Sequence, residues 1–217
     1  AAATARSTDG VDLVATVTAS EPYTEGDDAA PFRVVAYDFG IKRTILRHLV
    51  GVGCHVEVVP ASTPAADVLA RAPAGVFVWN GPAAPPPLVG AVAAVRSLVG
   101  EVPVFGICMG HHILGLALGG HTYKLQFGHH GANHPVRHVA SGRVEITSQN
   151  HNYAVDADSL AGVVELTHVN LNDGVVEGMR VLDAPAYSVQ YHPEAGPGPH
   201  DARYLFDEFT SLMTDAG

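Results

Sequence analysis

The stretch Val102-Pro103-Val104-Phe105-Gly106-Ile107-Cys108-Met109-Gly110 decides how this chain is read. A β-branched and aromatic run marks a buried strand, and it ends in a cysteine with a glycine two residues away on each side. A helical pattern follows from His111. This is the outline of a nucleophile elbow. The strand delivers Cys108 into a tight turn that tolerates little beyond hydrogen at positions 106 and 110, and the next helix aims the positive end of its dipole at the sulfur. That field favours the thiolate, which is the nucleophilic form. By residue type alone, a cysteine closing a core strand is more often a packing residue. The paired glycines and the strand-to-helix switch, occurring together, point to the elbow.

Upstream of the elbow the pattern is regular. Arg33 to Phe39 reads as a strand, Lys42 to Val50 as a short helix, Cys54 to Val59 as a strand and Ala65 to Arg71 as a brief helix. Gly75 to Trp79 is the next strand, and Val89 to Val99 the helix before the elbow strand. Strands alternating with helices predict a parallel sheet wound on both faces, with ligands bound beyond the carboxyl ends of the strands. Tyr37-Asp38-Phe39-Gly40, Asn80-Gly81-Pro82 and Cys108 mark three such ends.

Downstream of the helix from His111 to Leu118 the rhythm shortens to alternating segments around Thr122 to Leu125, Arg143 to Thr147, Val163 to His168 and Val175 to Arg180. These predict antiparallel, meander-like structure attached to the parallel core. Tyr187 to Tyr191 returns as a strand ending in His192-Pro193-Glu194, and Asp201 to Met213 as a final amphipathic helix. Residues 1–30, alanine-rich and then polar, read as an extension or linker with one short strand near Val11 to Val17; residues 31–217 form the domain. The expected fold is therefore α/β, a flavodoxin-like, mostly parallel sheet with an added antiparallel strand region.

Composition narrows the function. With 22 acidic against 12 basic residues the formal charge is −10, which argues against nucleic acid and against an anionic membrane surface as partner. No apolar run approaches the roughly 20 residues of a membrane span. Only Cys54 and Cys108 occur, in different strand environments, so a disulfide framework is not expected and a reducing cytoplasm is the natural home.

A cysteine nucleophile needs a base to take its proton and an acid for the departing group, and one histidine oriented by a carboxylate serves both needs. His192 and Glu194 stand two apart at a strand end and so project from one side of an extended segment. A strand-end histidine and a solvated glutamate would look the same if met alone. The elbow makes Cys108, His192 and Glu194 a candidate triad.

These residues resemble the class I glutamine amidotransferases, and among them the glutaminase domain of carbamoyl-phosphate synthetase small subunits. The resemblance runs from Arg33 to Met213. It passes through Tyr37-Asp38-Phe39-Gly40-Ile41-Lys42-Arg43, Asn80-Gly81-Pro82, the elbow, Phe127-Gly128-His129-His130-Gly131, Gln149-Asn150-His151, and His192-Pro193-Glu194 with the following Pro197-Gly198-Pro199-His200-Asp201. It implies that Cys108 attacks the side-chain amide of glutamine, releases ammonia and forms a glutamyl thioester that water hydrolyses. His192 would shuttle protons and Glu194 would orient it. The oxyanion would lie against the backbone N–H groups of Met109 and Ala83, each such donor lowering a barrier by roughly 3 to 4 kcal/mol. Gly81, Met109, His112, Asn150, Asn152 and Tyr153 would contact the substrate. The resemblance implies no cofactor. It also implies that the partner taking the ammonia is the large subunit of an ATP-dependent synthetase. Residues 9–24 resemble the end of the small subunit's amino-terminal domain.

Departures from the family pattern cluster around the substrate. The family's Asn-Gly-Pro-Gly-Asp-Pro is here Asn80-Gly81-Pro82-Ala83-Ala84-Pro85, its Gly-His-Gln is Gly110-His111-His112, and its Asn-His-Gly-Phe is Asn150-His151-Asn152-Tyr153. Pocket positions have changed while the triad is intact. This pattern also fits a repurposed cysteine hydrolase or acyltransferase acting on another amide, ester or thioester; a non-catalytic regulatory or scaffold domain is the third reading. His129, His130 and His134 fall in a glycine- and proline-containing stretch expected to be a loop, and no metal site is assigned to them. His112, close to the nucleophile, reads as a packing residue, a substrate contact or a second proton carrier. Trp79 reads as core.

Overall fold

The computed structural model describes residues 13–40, 42–81, 88–196 and 198–216. Ten strands form one sheet, in the order β1-β3-β2-β4-β5-β10-β9-β8-β6-β7. The parallel core consists of β2 (Phe32–Asp38), β3 (Cys54–Pro60), β4 (Gly75–Val78), β5 (Val104–Ile107) and β10 (Ala186–Val189). Taken in chain order, these five run 2-1-3-4-5 across the sheet, the flavodoxin-like arrangement, whose switch point lies between β2 and β4. β4, β5 and β10 are buried at every position, as strands covered on both faces must be.

The helices are α1 (Val14–Val17), α2 (Arg43–Gly51), α3 (Ala65–Leu69), α4 (Val89–Leu98), α5 (Met109–Ala117) and α6 (Tyr204–Ala216). Alternation along β5 separates the two layers. Phe105 packs edge-on against Phe206 of α6, while a Cβ on Gly106 would lie 2.8 Å from the backbone of Gly110 in α5. α6 therefore covers one face and α5 the other, and His48 of α2 stacks on Phe206 on the α6 side. Phe77, Phe105 and Phe209 form the aromatic centre of that side, and Trp79 is fully buried beside Phe77, as expected of a core residue.

Beyond β10 the sheet continues antiparallel through β9 (Val176–Val181), β8 (Val164–Asn170), β6 (His121–His138) and β7 (Val144–Asp156). β8 and β9 are short antiparallel segments as expected, but the structure corrects the expectation for the first two segments and for a histidine-bearing loop. β6 and β7 are long paired strands, and His129, His130 and His134 lie within β6. The glycines do not break the strand because its register shifts between Lys124 and His129 and between Gly131 and His134, where Gly128 (φ +68°) and Gly131 (φ +134°) take conformations closed to most residues.

The strand expected near Val11 to Val17 is a second correction: Val14–Val17 is one helical turn, closed by the Thr16 hydroxyl on the Leu13 carbonyl. Val11 itself lies outside the described residues, and the free edge of β3 is taken by β1 (Tyr23–Glu25), antiparallel. Much of the stretch read as a linker is thus fastened to the domain. The Ala19 N–H donates to Asp38 Oδ2, and the Ala61 N–H donates to the Thr18 hydroxyl. No helix among the described residues is long and apolar enough to cross a membrane.

Candidate active site

The elbow forms because two glycines let three backbone segments touch. A Cβ on Gly110 would sit 2.1 Å from the Val78 carbonyl oxygen of β4, and one on Gly106 would meet Gly110 itself. Between them Cys108 takes φ +54°, ψ −97°, a strained conformation for a residue with a side chain. The turn is clamped from both sides. The Cys108 N–H donates to Val189 in β10, and the Cys108 carbonyl accepts from His111 and His112 in the first turn of α5. Cys108 is the N-cap of that helix, so the sulfur sits near the positive end of its dipole.

His192 and Glu194 follow β10 and are both almost fully buried. The His192 N–H donates to the Ser148 carbonyl of β7, which braces the segment. Its ring Nδ1 lies 2.8 Å from Glu194 Oε1, and His192 and Cys108 line the same cavity. Burial alone would lower the His192 pKa, but the charges and hydrogen bonds of Cys108 and Glu194 outweigh it and raise the value to about 10. Burial would likewise raise Glu194, yet His192 and then Lys42 bring it down to about 2. The imidazole is thus held protonated and the Glu194 carboxylate ionised, side by side behind the sulfur. Lys42, in the loop after β2, joins them: its Nζ lies 3.1 Å from Glu194 Oε1 and 3.3 Å from His192 Nδ1.

These groups open onto a cavity of about 470 Å³ lined by Val17, Gly40, Lys42, Asn80, Gly81, Cys108, Asn150 and His192. It lies over the carboxyl ends of β2, β4, β5 and β10, at the switch point of the sheet, and its volume is that of a small-molecule site. Gly81 is required to be small: a Cβ there would lie 2.7 Å from the Phe39 carbonyl oxygen, so a side chain would push the loop after β4 away from the loop after β2. Asp38 holds the opposite wall, accepting from Gly40 through Oδ1 and from Ala19, two residues past Val17, through Oδ2.

Of the residues singled out in the sequence, Cys108, His192, Glu194, Gly81 and Asn150 come together, and Met109 begins α5 with its side chain against Gly81. Ala83 lies outside the described residues. His112 does not reach the cavity wall: α5 turns it inward, where Nε2 lies 3.0 Å from the Tyr153 carbonyl and burial lowers its pKa to about 4. There it links α5 to β7. Tyr153 receives both His112 and His151 on its carbonyl while its ring lies under the Lys124 ammonium, and Asn152 is held by His130. Neither is among the described residues lining the cavity.

The histidines of β6 divide between the two faces of the sheet. His129 is buried between two carboxylates, with Nε2 2.7 Å from Asp173 Oδ2 and Nδ1 3.2 Å from Glu177 Oε1. The Glu177 hydrogen bond is the main cause of its raised pKa. His129, His151 and Glu177 bring one potential ligand atom each to within 4.8 Å of one another, the spacing of a metal site. The chemistry around them is that of a hydrogen-bond network, because Asn170 and Gln149 both aim amide N–H donors at the Glu177 carboxylate. His134, which the sequence groups with His129, contributes no atom to that set.

Two residues of the site went unread in the sequence. Lys42 was detectable as a cation, beside Arg43, in the short loop that follows the strand ending at Asp38. Gln190, whose amide Nε2 lies 3.8 Å from the Cys108 sulfur, stands two residues before His192 and carries no local mark.

A cysteine at a strained strand-to-helix elbow, with an imidazole and a carboxylate behind it and the whole set at the carboxyl edge of a flavodoxin-like sheet, is the arrangement of a cysteine-triad amide hydrolase. The model of the family "Glutamine amidotransferase class-I" matches residues 35–212, and the chain belongs to that family. It is 57% identical to the carbamoyl phosphate synthase small chain of Syntrophotalea carbinolica, over 94% of this chain and 58% of that protein. It is 54% identical to the small chain of Chlorobaculum tepidum, over 94% of this chain and 57% of that one. Identity to the chloroplastic small chain of Arabidopsis thaliana is 51%, over 94% and 50%. The chain thus spans little more than half the length of these relatives. A crystal structure from Thermoplasma acidophilum, assigned to a GMP synthase component, superposes with a TM-score of 0.73 at 20% identity, covering 85% of this chain and 95% of that one, and so shares the fold.

Proposed function

We propose that the chain is the glutamine-hydrolysing part of a carbamoyl-phosphate synthase small chain, a cytoplasmic protein that supplies ammonia to the large subunit of an ATP-dependent synthetase. The observation that carries this reading is the buried Cys108–His192–Glu194 set at one end of a small-molecule cavity. The sulfur attacks the side-chain carbonyl carbon of glutamine, and the carbonyl electrons move onto oxygen, stabilised by backbone N–H groups that include Met109 at the start of α5. His192 gives its proton to the amide nitrogen, the C–N bond breaks, and ammonia leaves a glutamyl thioester. Water then attacks the thioester, His192 takes back a proton, and glutamate departs. Glu194, held by Lys42, keeps the imidazole in one tautomer and offsets its charge at each stage.

The experiment is ammonia release from glutamine, alone and with a synthetase large subunit, compared with Cys108→Ala. Release that needs Cys108 and rises with the large subunit is the expected result. A folded protein whose Cys108 alkylates normally but which releases no ammonia under either condition would show that the nucleophile serves a different acyl substrate.

A further inference from the structure

The face of the β6–β7 pair opposite the His129 network carries His130, Asn150 and Asn152. His130 is registered directly across from Asn150, and Asn152 lies two residues along the same face. The imidazole spans them both: Nδ1 is 3.1 Å from Asn150 Oδ1, and Nε2 is 3.1 Å from Asn152 Oδ1. Gly128 makes the span possible. At φ +68°, a Cβ there would lie 2.6 Å from His130 Nε2 and 2.6 Å from Asn152 Oδ1, in the path of that hydrogen bond.

Asn150 is the one member of this bridge that also lines the cavity holding Cys108, His192 and Lys42. A carboxamide free to turn offers a ligand its oxygen or its NH2 group indifferently. With one end of its carboxamide engaged by the imidazole, Asn150 is held in one orientation and has its other polar end left for a ligand. We propose that His130 is a positioning residue for substrate recognition: by bridging Asn150 and Asn152 it holds the Asn150 carboxamide in one orientation at the cavity wall, where its free polar end meets the substrate. The proposal rests on the glutaminase reading, in which the substrate brings a carboxylate and an amide oxygen into this cavity. His130 itself touches no reacting atom, and its effect passes through Asn150.

The test is a kinetic cycle on the full chain with the large subunit, reading ammonia release from glutamine in wild type, His130→Phe, His130→Gln, Asn150→Ala and the His130→Phe/Asn150→Ala double variant. Phenylalanine keeps the ring and removes both polar edges. It is expected to raise KM about five- to tenfold, the scale of one lost hydrogen bond, with kcat changed less than about twofold. His130→Gln, which retains a donor, recovers most of the loss. On Asn150→Ala the phenylalanine substitution adds less than about twofold, because its route is already cut. Gly128→Ala disturbs the same bridge from the other side and is expected to raise KM in the same sense. Unchanged KM in His130→Phe, or full multiplication of the two effects in the double variant, overturns the proposal while leaving the glutaminase reading intact. Absence of Cys108-dependent release in the wild type removes that reading and the proposal with it.

Discussion

His192 Nδ1 and Glu194 Oε1 lie 2.8 Å apart in a site where both side chains are almost fully buried, and Lys42 Nζ reaches the same carboxylate oxygen from the loop after β2. The carboxylate therefore does two things at once. It fixes the ring's orientation, and together with the larger effect of Cys108 it offsets the burial that would otherwise discharge the imidazole.

Glu194→Gln separates those two roles, since it keeps the shape and removes the charge. The expected result is a fall in kcat of about 10²- to 10³-fold with little change in KM, measured by ammonia release. Stability should respond with pH as well. The folded Glu194 pKa of about 2 lies below its ordinary value of 4.5, so the carboxylate's stabilising contribution is complete above pH 4.5 and fades as pH falls toward 2. The gap in urea midpoint between wild type and variant should narrow below pH 4.5, and a gap that widens there would contradict the assignment.

The buried histidines predict where stability peaks. Burial lowers His112 and His151 to about 4 and His168 to about 3, and holds His111 well below its ordinary 6.5. The unfolded chain binds more protons than the native one between about pH 4 and 6.5, so stability rises with pH there, by about 1.4 kcal/mol per pH unit for each proton taken up. His129 and His192 are shifted the other way, which makes stability fall as pH rises above 6.5. A urea series from pH 4 to 10 should show a maximum near pH 6.5; a steady rise through pH 9 would exclude this account.

Cys108→Ala changes the upper limb of that curve. Burial pulls the His192 pKa down, and the charge of Cys108 is the largest of the effects that raise it; the resulting contribution is present below pH 6.5 and lost as pH climbs through about 10. Without the sulfur the loss between pH 6.5 and 10 should be shallower than in wild type, whatever happens to activity.

Two glycine substitutions in helices should have opposite signs. Gly110→Ala drives a Cβ to within 2.1 Å of the Val78 carbonyl oxygen and is expected to cost about 3 kcal/mol or prevent folding. Gly90→Ala, in α4 with nothing within 4 Å of the added carbon, should stabilise by about 0.5 to 1 kcal/mol. Urea midpoints of the two variants test both.

The elbow was legible in the sequence because its cause is local. Gly106 and Gly110 sit two residues from Cys108, and the clash that makes them necessary can be inferred from the strand-to-helix switch alone. The same holds for the βα alternation, since the period of apolar residues follows from which faces of each element are covered. His192 and Glu194 were readable as a pair because two residues apart on extended backbone means one side.

β6 was not legible. Its glycines, its proline and its run of histidines suggest a loop on composition, and only the pairing with β7, with two register shifts, makes them a strand. His112 could not be assigned from its place beside the nucleophile, because the direction in which α5 turns it depends on where the Tyr153 carbonyl lies. Lys42 reaches Glu194 across 152 residues of chain, and His129 meets Glu177 across 48. The sequence by itself determined the elbow around Cys108, the strand–helix alternation leading up to it and the placing of His192 and Glu194 on one side of a segment, which depend on neighbours in the chain. Only the tertiary structure decided in which direction the buried histidines' pKa values move, which side chains face the cavity and what holds Glu194 and Asn150 in place. Those outcomes depend on burial and on partners brought together by sheet pairing, and neither is encoded in the spacing of residues along the backbone.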